Sequence, residues 1–309
     1  MLCRASRLSS SQLPKCGRVG FIGEGVWGAR ERDFQRLPCA AFFGYFLVRP
    51  QESNTYRQSD KSQFDSYTER KNPMSIAENI AAIRARIDAA ALACGRDPKE
   101  IKLCAATKMN DAAAVREAIA GGVDLCGENR VQELVQKLKE NAYEGAPVHF
   151  IGHLQTNKVK QVVGKVDVIQ SVDSLRLLKT INDEAAKQGI VQHIMLEVNV
   201  GKEESKSGFD ASEILPLIEQ IADFPHIFVC GLMAIPPISH FSGENRKFFQ
   251  EICNLSVDIR AKKYDNVSVD CLSMGMSDDF EDAVCCGSTM IRICTAIFGA
   301  RNYAKLHQT

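Results

Sequence analysis

The sequence of 309 residues predicts an α/β fold, a single-domain (β/α)8 TIM barrel over residues 74–309. Short apolar runs rich in Val and Ile alternate with longer stretches of helical periodicity, eight of the former in about 225 residues. No Gly-x-Gly-x-x-Gly turn follows the first run, which argues against the alternative, a doubly wound open sheet. The first helix opens with a capping-box pattern, Ser75-x-x-Glu78. Ile76, Ile80, Ile83 and Ile87 then share a face, and Gly95 stops it. Strands are expected at 101–108, 123–128, 148–154, 166–172, 193–200, 227–235, 267–274 and 290–298. Helices are expected between them at 111–120, 131–140, 157–163, 174–187, 211–222, 246–263 and 278–284.

Composition excludes several function classes. At 45% apolar and 25% charged, with 38 basic and 38 acidic side chains, the chain has the composition of a soluble domain. No global charge draws it to nucleic acid or an anionic membrane. No apolar run reaches the ~18 residues that span a bilayer. Of the 12 cysteines, Cys104, Cys126 and Cys230 sit inside strand-like runs. No Cys-x-x-Cys pair or zinc spacing occurs, so reduced, buried thiols are expected rather than disulfides. Residues 1–73 stand apart. Arg4, Arg7, Lys15 and Arg18 precede any acid, as in an organelle transit peptide, and 51–73 reads as polar linker. The alternative is a mis-started extension, with translation beginning at Met74. A cytoplasmic location is expected, or a mitochondrial or plastid one if that leader is genuine.

A barrel gathers its working residues at the C-terminal strand ends. Lys108 closes the first strand, and a desolvated amine there frees a lone pair for attack on a carbonyl. A lysine so placed also snorkels to solvent. Phosphate in such barrels is cradled after strands seven and eight, where Ser273, Gly275, Ser277, Asp278 and Asp279 lie, followed by Cys294 and Thr295. The same Ser-Asp-Asp run suits a plain helix cap. Arg292 stands between Ile291 and Ile293. Pointing outward it pairs with a helix carboxylate; pointing inward it needs a buried partner and could face a ring nitrogen. Together these residues suggest a pyridoxal phosphate site. An always-charged donor on that nitrogen weakens the ring as an electron sink.

The chain resembles the pyridoxal phosphate homeostasis protein family, relatives of the N-terminal barrel of alanine racemase. The resemblance rests on Ala105-Ala-Thr-Lys108, Gly127-Glu-Asn-Arg-Val-Gln-Glu133, His149-Phe-Ile-Gly-His-Leu-Gln-Thr-Asn-Lys158, Ser205-Lys-Ser-Gly208, Gly231-Leu-Met-Ala-Ile-Pro236, Leu272-Ser-Met-Gly-Met-Ser-Asp-Asp279 and the run from Gly287 to Arg301. By position it implies that Lys108 holds pyridoxal 5'-phosphate as an internal aldimine. It places Asn129 beside the ring, Arg292 at the ring nitrogen, and Ser277, Cys294 and Thr295 at the phosphate. Met233, Ser273 and Gly275 complete the expected cofactor-binding set. The family usually has glycine where Cys294 stands, and a Cβ there threatens crowding or a changed backbone angle.

Three functions remain open at this point. One is a non-enzymatic holder that buffers the cofactor and delivers it to apo-enzymes, expected as a monomer with no metal. The second is an amino-acid racemase, which needs a second acid/base. Tyr143, Tyr264 and Tyr303 are the tyrosines after residue 73, and none falls at an expected strand C-terminus. The third is a Schiff-base aldolase with Glu128 or Asp173 as acid/base. Lys206 is expected to be solvated, unless it accepts the cofactor transiently. Cys285 and Cys286 are expected to pack in a helix, and His149 and His153 to share one strand face as structural histidines.

Overall fold

Ser75 caps the first helix, its Oγ accepting from the Glu78 N–H at 3.2 Å while the Glu78 carboxylate accepts from the Ser75 N–H at 2.8 Å. That reciprocal bond fixes the start of α1 (Ile76–Ala93), whose Ile80, Ile83, Ile87 and Ala91 are buried. A computed structural model describes residues 74–203, 206–239 and 241–299. The leader expected at 1–73 and Tyr303 lie outside the described residues.

Eight parallel strands close into a barrel in sequence order. They are β1 (Lys102–Ala106), β2 (Leu125–Glu128), β3 (Val148–Phe150), β4 (Val168–Val172), β5 (Gln192–Val198), β6 (Ile227–Ala234), β7 (Val267–Ser273) and β8 (Met290–Ile293). The outer helices are α2 (Ala112–Ala120), α3 (Val131–Lys139), α4 (Leu175–Gln188), α5 (Ala211–Glu219), α6 (Arg246–Ala261), α7 (Phe280–Cys285) and α8 (Thr295–Phe298). Alternation along each strand sorts the side chains into two layers. Ile291 and Ile293 face outward with Ile83, Ile87, Leu103 and Phe280. Cys104, Leu125, Val168, Met195, Met233 and Met290 fill the barrel interior.

Several boundaries differ from the expectation. The run 290–298 is not one strand: β8 ends at Ile293 and residues 295–298 turn into α8. A nine-residue apolar run carries no period that separates strand from buried helix, and the break falls at Cys294, with φ −117° and ψ −80°. β1 stops at Ala106, so Lys108 lies in the turn beyond it, and β3 stops at Phe150 rather than at 154. The helix expected at 157–163 is the 3-10 segment Thr156–Gln161.

The thiols also differ. Cys94, at the end of α1, is disulfide-bonded to Cys285 at the end of α7, across 191 residues of sequence. Neither cysteine lies near the other in sequence, so spacing carries no sign of the bridge. Cys104 and Cys126 are free and buried as expected, and Cys230 is free and half-buried. Burial is the main cause that pushes the Cys126 and Cys230 thiols up to about 12.

Candidate functional site

One open cavity of about 670 Å³ at the C-terminal mouth of the barrel is lined by Lys108, Asn129, Ser277, Asp278, Arg292, Cys294 and Thr295. Strand geometry brings them together. β1 pairs with β8 through Lys102↔Met290 to Ala105↔Ile293, so the turn bearing Lys108 and the strand bearing Arg292 share a seam. The volume is that of a small-molecule site.

Arg292 points inward and is buried, which rules out an outward pairing with a helix carboxylate. Its Nη1 donates to the Ser273 carbonyl at 2.6 Å and to Ser273 Oγ at 2.7 Å, and its Nη2 donates to the Ala234 carbonyl at 2.9 Å. The Ser273 hydroxyl donates in turn to Gln170 Oε1 at 2.6 Å, and Gln170 Nε2 donates to His149 Nδ1 at 2.7 Å. A directional chain of hydrogen bonds therefore crosses the barrel floor from β8 to β3. Burial is the main cause that lowers the His149 pKa to about 4, so the ring is neutral and its Nδ1 is free to accept. Burial likewise pulls Arg292 below its ordinary value.

On the other side of the cavity, Lys108 is half-buried rather than enclosed at a strand end. Its backbone is held on both flanks. The Thr107 carbonyl accepts from Lys137 Nζ at 2.8 Å, and the Lys108 carbonyl accepts from Asn110 Nδ2 at 3.1 Å. Met109 has φ 62°, a left-handed conformation costing about 1–2 kcal/mol in a residue with a side chain. Its N–H donates to Glu133 Oε2 at 2.7 Å.

Asn129 follows β2, and its Oδ1 is buried without a hydrogen-bond partner. Such an orphan acceptor beside an open cavity is one that a ligand donor can satisfy. It is pressed into place by Gly152: a Cβ there would stand 2.1 Å from the Asn129 carbonyl oxygen. On the β7 side, Gly275 has φ +96°, and a Cβ on it would meet the Ala283 Cβ at 2.6 Å. The N–H groups of Ser277 and Asp278 make no hydrogen bond within the described residues. They face the same cavity as the first turn of α8, whose leading N–H groups lack helical partners. The plain-cap reading fits poorly here, because Asp279, the residue before α7, makes no side-chain cap. It accepts instead from Met276 N–H and Asn245 Nδ2.

Not every expected residue reaches the cavity. Met233 and Ser273 lie one layer down in the barrel interior, and Gly275 acts through its carbonyl, which accepts from the Arg292 N–H at 3.1 Å. Arg86 was missed by the sequence reading. It projects from α1 into the cavity wall, its guanidinium 4.6 Å above the Phe280 ring and its Nε 2.8 Å from Glu281 Oε1. Position 86 adjoins Ile87 of the apolar stripe, a weak signal for a rim residue. His149 and His153 do not share a strand face: His149 is interior, whereas His153 lies past β3, exposed, with Nδ1 3.0 Å from Asp173 Oδ2. Lys206 is held between Glu203 at 2.8 Å and the Pro236 carbonyl at 3.2 Å, rather than freely solvated. Glu128 and Tyr143 are buried together behind Lys108, the phenol donating to Glu128 Oε2 at 3.0 Å. Among the described residues no cluster could hold a metal ion, and no helix is long and apolar enough to cross a membrane.

An amine, an interior guanidinium, unbonded amide donors and an orphan acceptor surround the mouth of a barrel of the class found in alanine racemase. The family described as "Alanine racemase, N-terminal domain" matches residues 75–302. Within that class, the chain belongs to the pyridoxal phosphate homeostasis protein family. It is 41% identical over 234 residues to the "Pyridoxal phosphate homeostasis protein" of Escherichia coli (strain K12), covering 74% of this chain and 98% of that one. Among solved structures, an unknown protein from Bifidobacterium adolescentis superimposes with a TM-score of 0.69 at 36% identity, covering 72% of this chain and 94% of that one. PipY of Synechococcus elongatus PCC7942, with PLP bound, gives 0.63 at 31% identity and covers 73% and 100%.

Proposed function

We propose that this chain binds pyridoxal 5'-phosphate on Lys108 and acts as its holder, buffering the aldehyde and passing it to apo-enzymes as a monomer, without robust catalysis. The observation that carries the reading is the single cavity joining Lys108, Arg292 and the unbonded N–H groups of Ser277 and Asp278, beside the orphan oxygen of Asn129. Those residues fit the group. Lys108 supplies the amine for the aldehyde, and Arg292 a fixed cation for the ring nitrogen. Asn129 accepts from a ring substituent, and Ser277, Cys294 and Thr295 with Arg86 surround the phosphate. When bound, the cofactor supplies a reactive aldehyde conjugated to an electron-accepting ring. Arg292 is locked to Ser273 and Ala234, and as a guanidinium it would offer the ring nitrogen a hydrogen bond without surrendering its proton.

Among the described residues the racemase reading lacks a second base opposite Lys108. The remaining titratable groups on the described cavity wall besides the two arginines, Asp278 and Cys294, belong to the loops given to the phosphate. Tyr143 is enclosed behind β1, and Tyr264 lies before β7, toward the other end of the barrel. The aldolase reading loses Glu128, which is committed to Lys137, Thr107 and Tyr143. Purified protein mixed with pyridoxal 5'-phosphate is expected to gain visible absorbance, and borohydride reduction to leave a pyridoxyl group on Lys108. Lys108→Ala should lose both while remaining folded. A label on another lysine, or α-proton exchange of amino acids at enzymatic rates, would overturn the proposal.

A further inference from the structure

A second lysine lies behind the first, and the cofactor reading leaves it unused. Lys137, on α3, is 5% exposed. Its ammonium donates to Glu128 Oε2 at 2.7 Å and to the Thr107 carbonyl at 2.8 Å, and lies 3.6 Å from Glu133 Oε2. Glu128 takes two further bonds on that oxygen, from Thr107 Oγ1 and Tyr143, both at 3.0 Å. Its other oxygen accepts from the Asn129 N–H at 2.9 Å. A buried ion pair adds little net stability when both charges must be desolvated. What this one does add is direction. Apart from the bond from Tyr143, its hydrogen bonds join residues 107, 128 and 129, which adjoin or include the two cavity residues Lys108 and Asn129.

Glu133 completes the frame one helical turn earlier, on the same face of α3 as Lys137. Its Oε2 accepts from the Met109 N–H at 2.7 Å, and Arg130 Nη1 donates to its other oxygen at 3.2 Å. Met109 is the residue with φ 62°. No glycine supplies that angle, so a specific partner must hold it. The Glu133 carboxylate is the acceptor that the turned amide meets. If the turn relaxes to an extended angle, the chain leaves β1 in another direction and Lys108 swings off the cavity.

We propose that Glu133 and Lys137 are positioning residues for Lys108. From one face of α3 they grip the Met109 amide and the Thr107 carbonyl on either side of it, and thereby aim its amine at the bound aldehyde. The proposal rests on the reading that Lys108 carries the cofactor, but its geometric part stands in the apo-protein.

The test separates the two. Glu133 is 23% exposed at its side chain, so truncating it opens no core cavity. Glu133→Ala removes the acceptor from Met109, whereas Glu133→Gln keeps a carbonyl oxygen for it. Two readouts are taken beside the thermal midpoint. One is the rate of reductive methylation at Lys108 in apo-protein, read by peptide mass spectrometry against the exposed Lys179. The other is the dissociation constant for pyridoxal 5'-phosphate from visible absorbance. Glu133→Ala should weaken binding about tenfold and shift the Lys108 methylation rate severalfold relative to Lys179, with Glu133→Gln close to wild type in both. Lys137→Met should do the same, if it folds. A folded Glu133→Ala protein with wild-type methylation at Lys108 and wild-type binding would overturn the proposal. If wild-type protein takes up no cofactor on Lys108, the functional reading fails, and the methylation ratio alone still decides whether Glu133 positions the amine.

Discussion

Two buried groups titrate in opposite senses, and their opposition gives a stability profile that single substitutions should unmask. Burial is the main cause that raises the Glu197 pKa from 4.5 to about 7, with Asp173 raising it further and Arg292 and His153 acting against. Burial lowers that of His149 from 6.5 to about 4. Between pH 4.5 and 6.5 the folded chain keeps the Glu197 proton that the unfolded chain has released, so this group adds stability as pH falls. Over the same interval the unfolded chain protonates a histidine that the folded chain keeps neutral, so His149 removes stability as pH falls. Each slope is about 1.4 kcal/mol per pH unit, hence about 3 kcal/mol across the window, and the two cancel in the wild type. Glu197→Gln should expose the histidine slope, its stability relative to wild type falling by about 3 kcal/mol as pH drops from 6.5 to 4.5. His149→Gln should show the opposite trend, and the double variant should return toward the flat profile. Urea unfolding of the four proteins through that interval measures it, because every other group contributes equally to all four. Variant curves that run parallel to the wild type would refute the reasoning.

Gly152→Ala should displace Asn129 and weaken pyridoxal 5'-phosphate binding by at least tenfold, because its Cβ would stand 2.1 Å from the Asn129 carbonyl oxygen; titration by visible absorbance reads it. Cys294→Gly should tighten binding modestly by removing a Cβ beside the phosphate, and an unchanged dissociation constant would dismiss crowding as a factor. The backbone needs no change there, since φ of Cys294 is negative. Adding a reductant, or Cys94→Ser, should lower stability by about 2–4 kcal/mol, as expected for opening a long covalent loop, seen as a lower thermal midpoint in the absence of ligand.

The barrel was legible because its strands are bounded by turn residues and its helices by caps that local chemistry dictates, as at Ser75, Asp111 and Ser174. Legibility failed where an apolar run lacked a period, as after Ile293, where a helix begins. It failed again where local pattern pointed to the wrong environment. Lys137 on α3 carries no local sign of burial, yet it is enclosed, because Glu128 on the neighbouring strand supplies a partner from outside its own helix. Arg86 and the Cys94–Cys285 bridge depend on α1 lying against α7, a contact between opposite ends of the folded chain. Lys108 and Arg292 were readable for a different reason: each carries a charge just after, or inside, an apolar run, and although either placement alone is often innocuous, the motifs around them pointed to one site.

The same long-range contact bears on how the site is held. Its amine half rests on β1, β2 and α3, while its arginine half rests on β7, β8 and α7. The β7–β8 pairing is short, with Ser273↔Met290 as its register pair. The carbonyls of Ser273 and Gly275 restore the join by accepting from Arg292, the first through Nη1 and the second through the backbone N–H. Outside that seam lies α1, whose C-terminal Cys94 is linked covalently to α7, and just beyond it Arg96 donates to the carbonyls of Val284 and Ser288 at 2.6 and 2.7 Å. The loop between β7 and α7 is thus framed from inside by Arg292 and from outside by α1. A barrel closed by a short strand pair keeps a defined mouth only if side chains complete what the ladder leaves undone. Here Arg292, which completes that join, also lines the cavity.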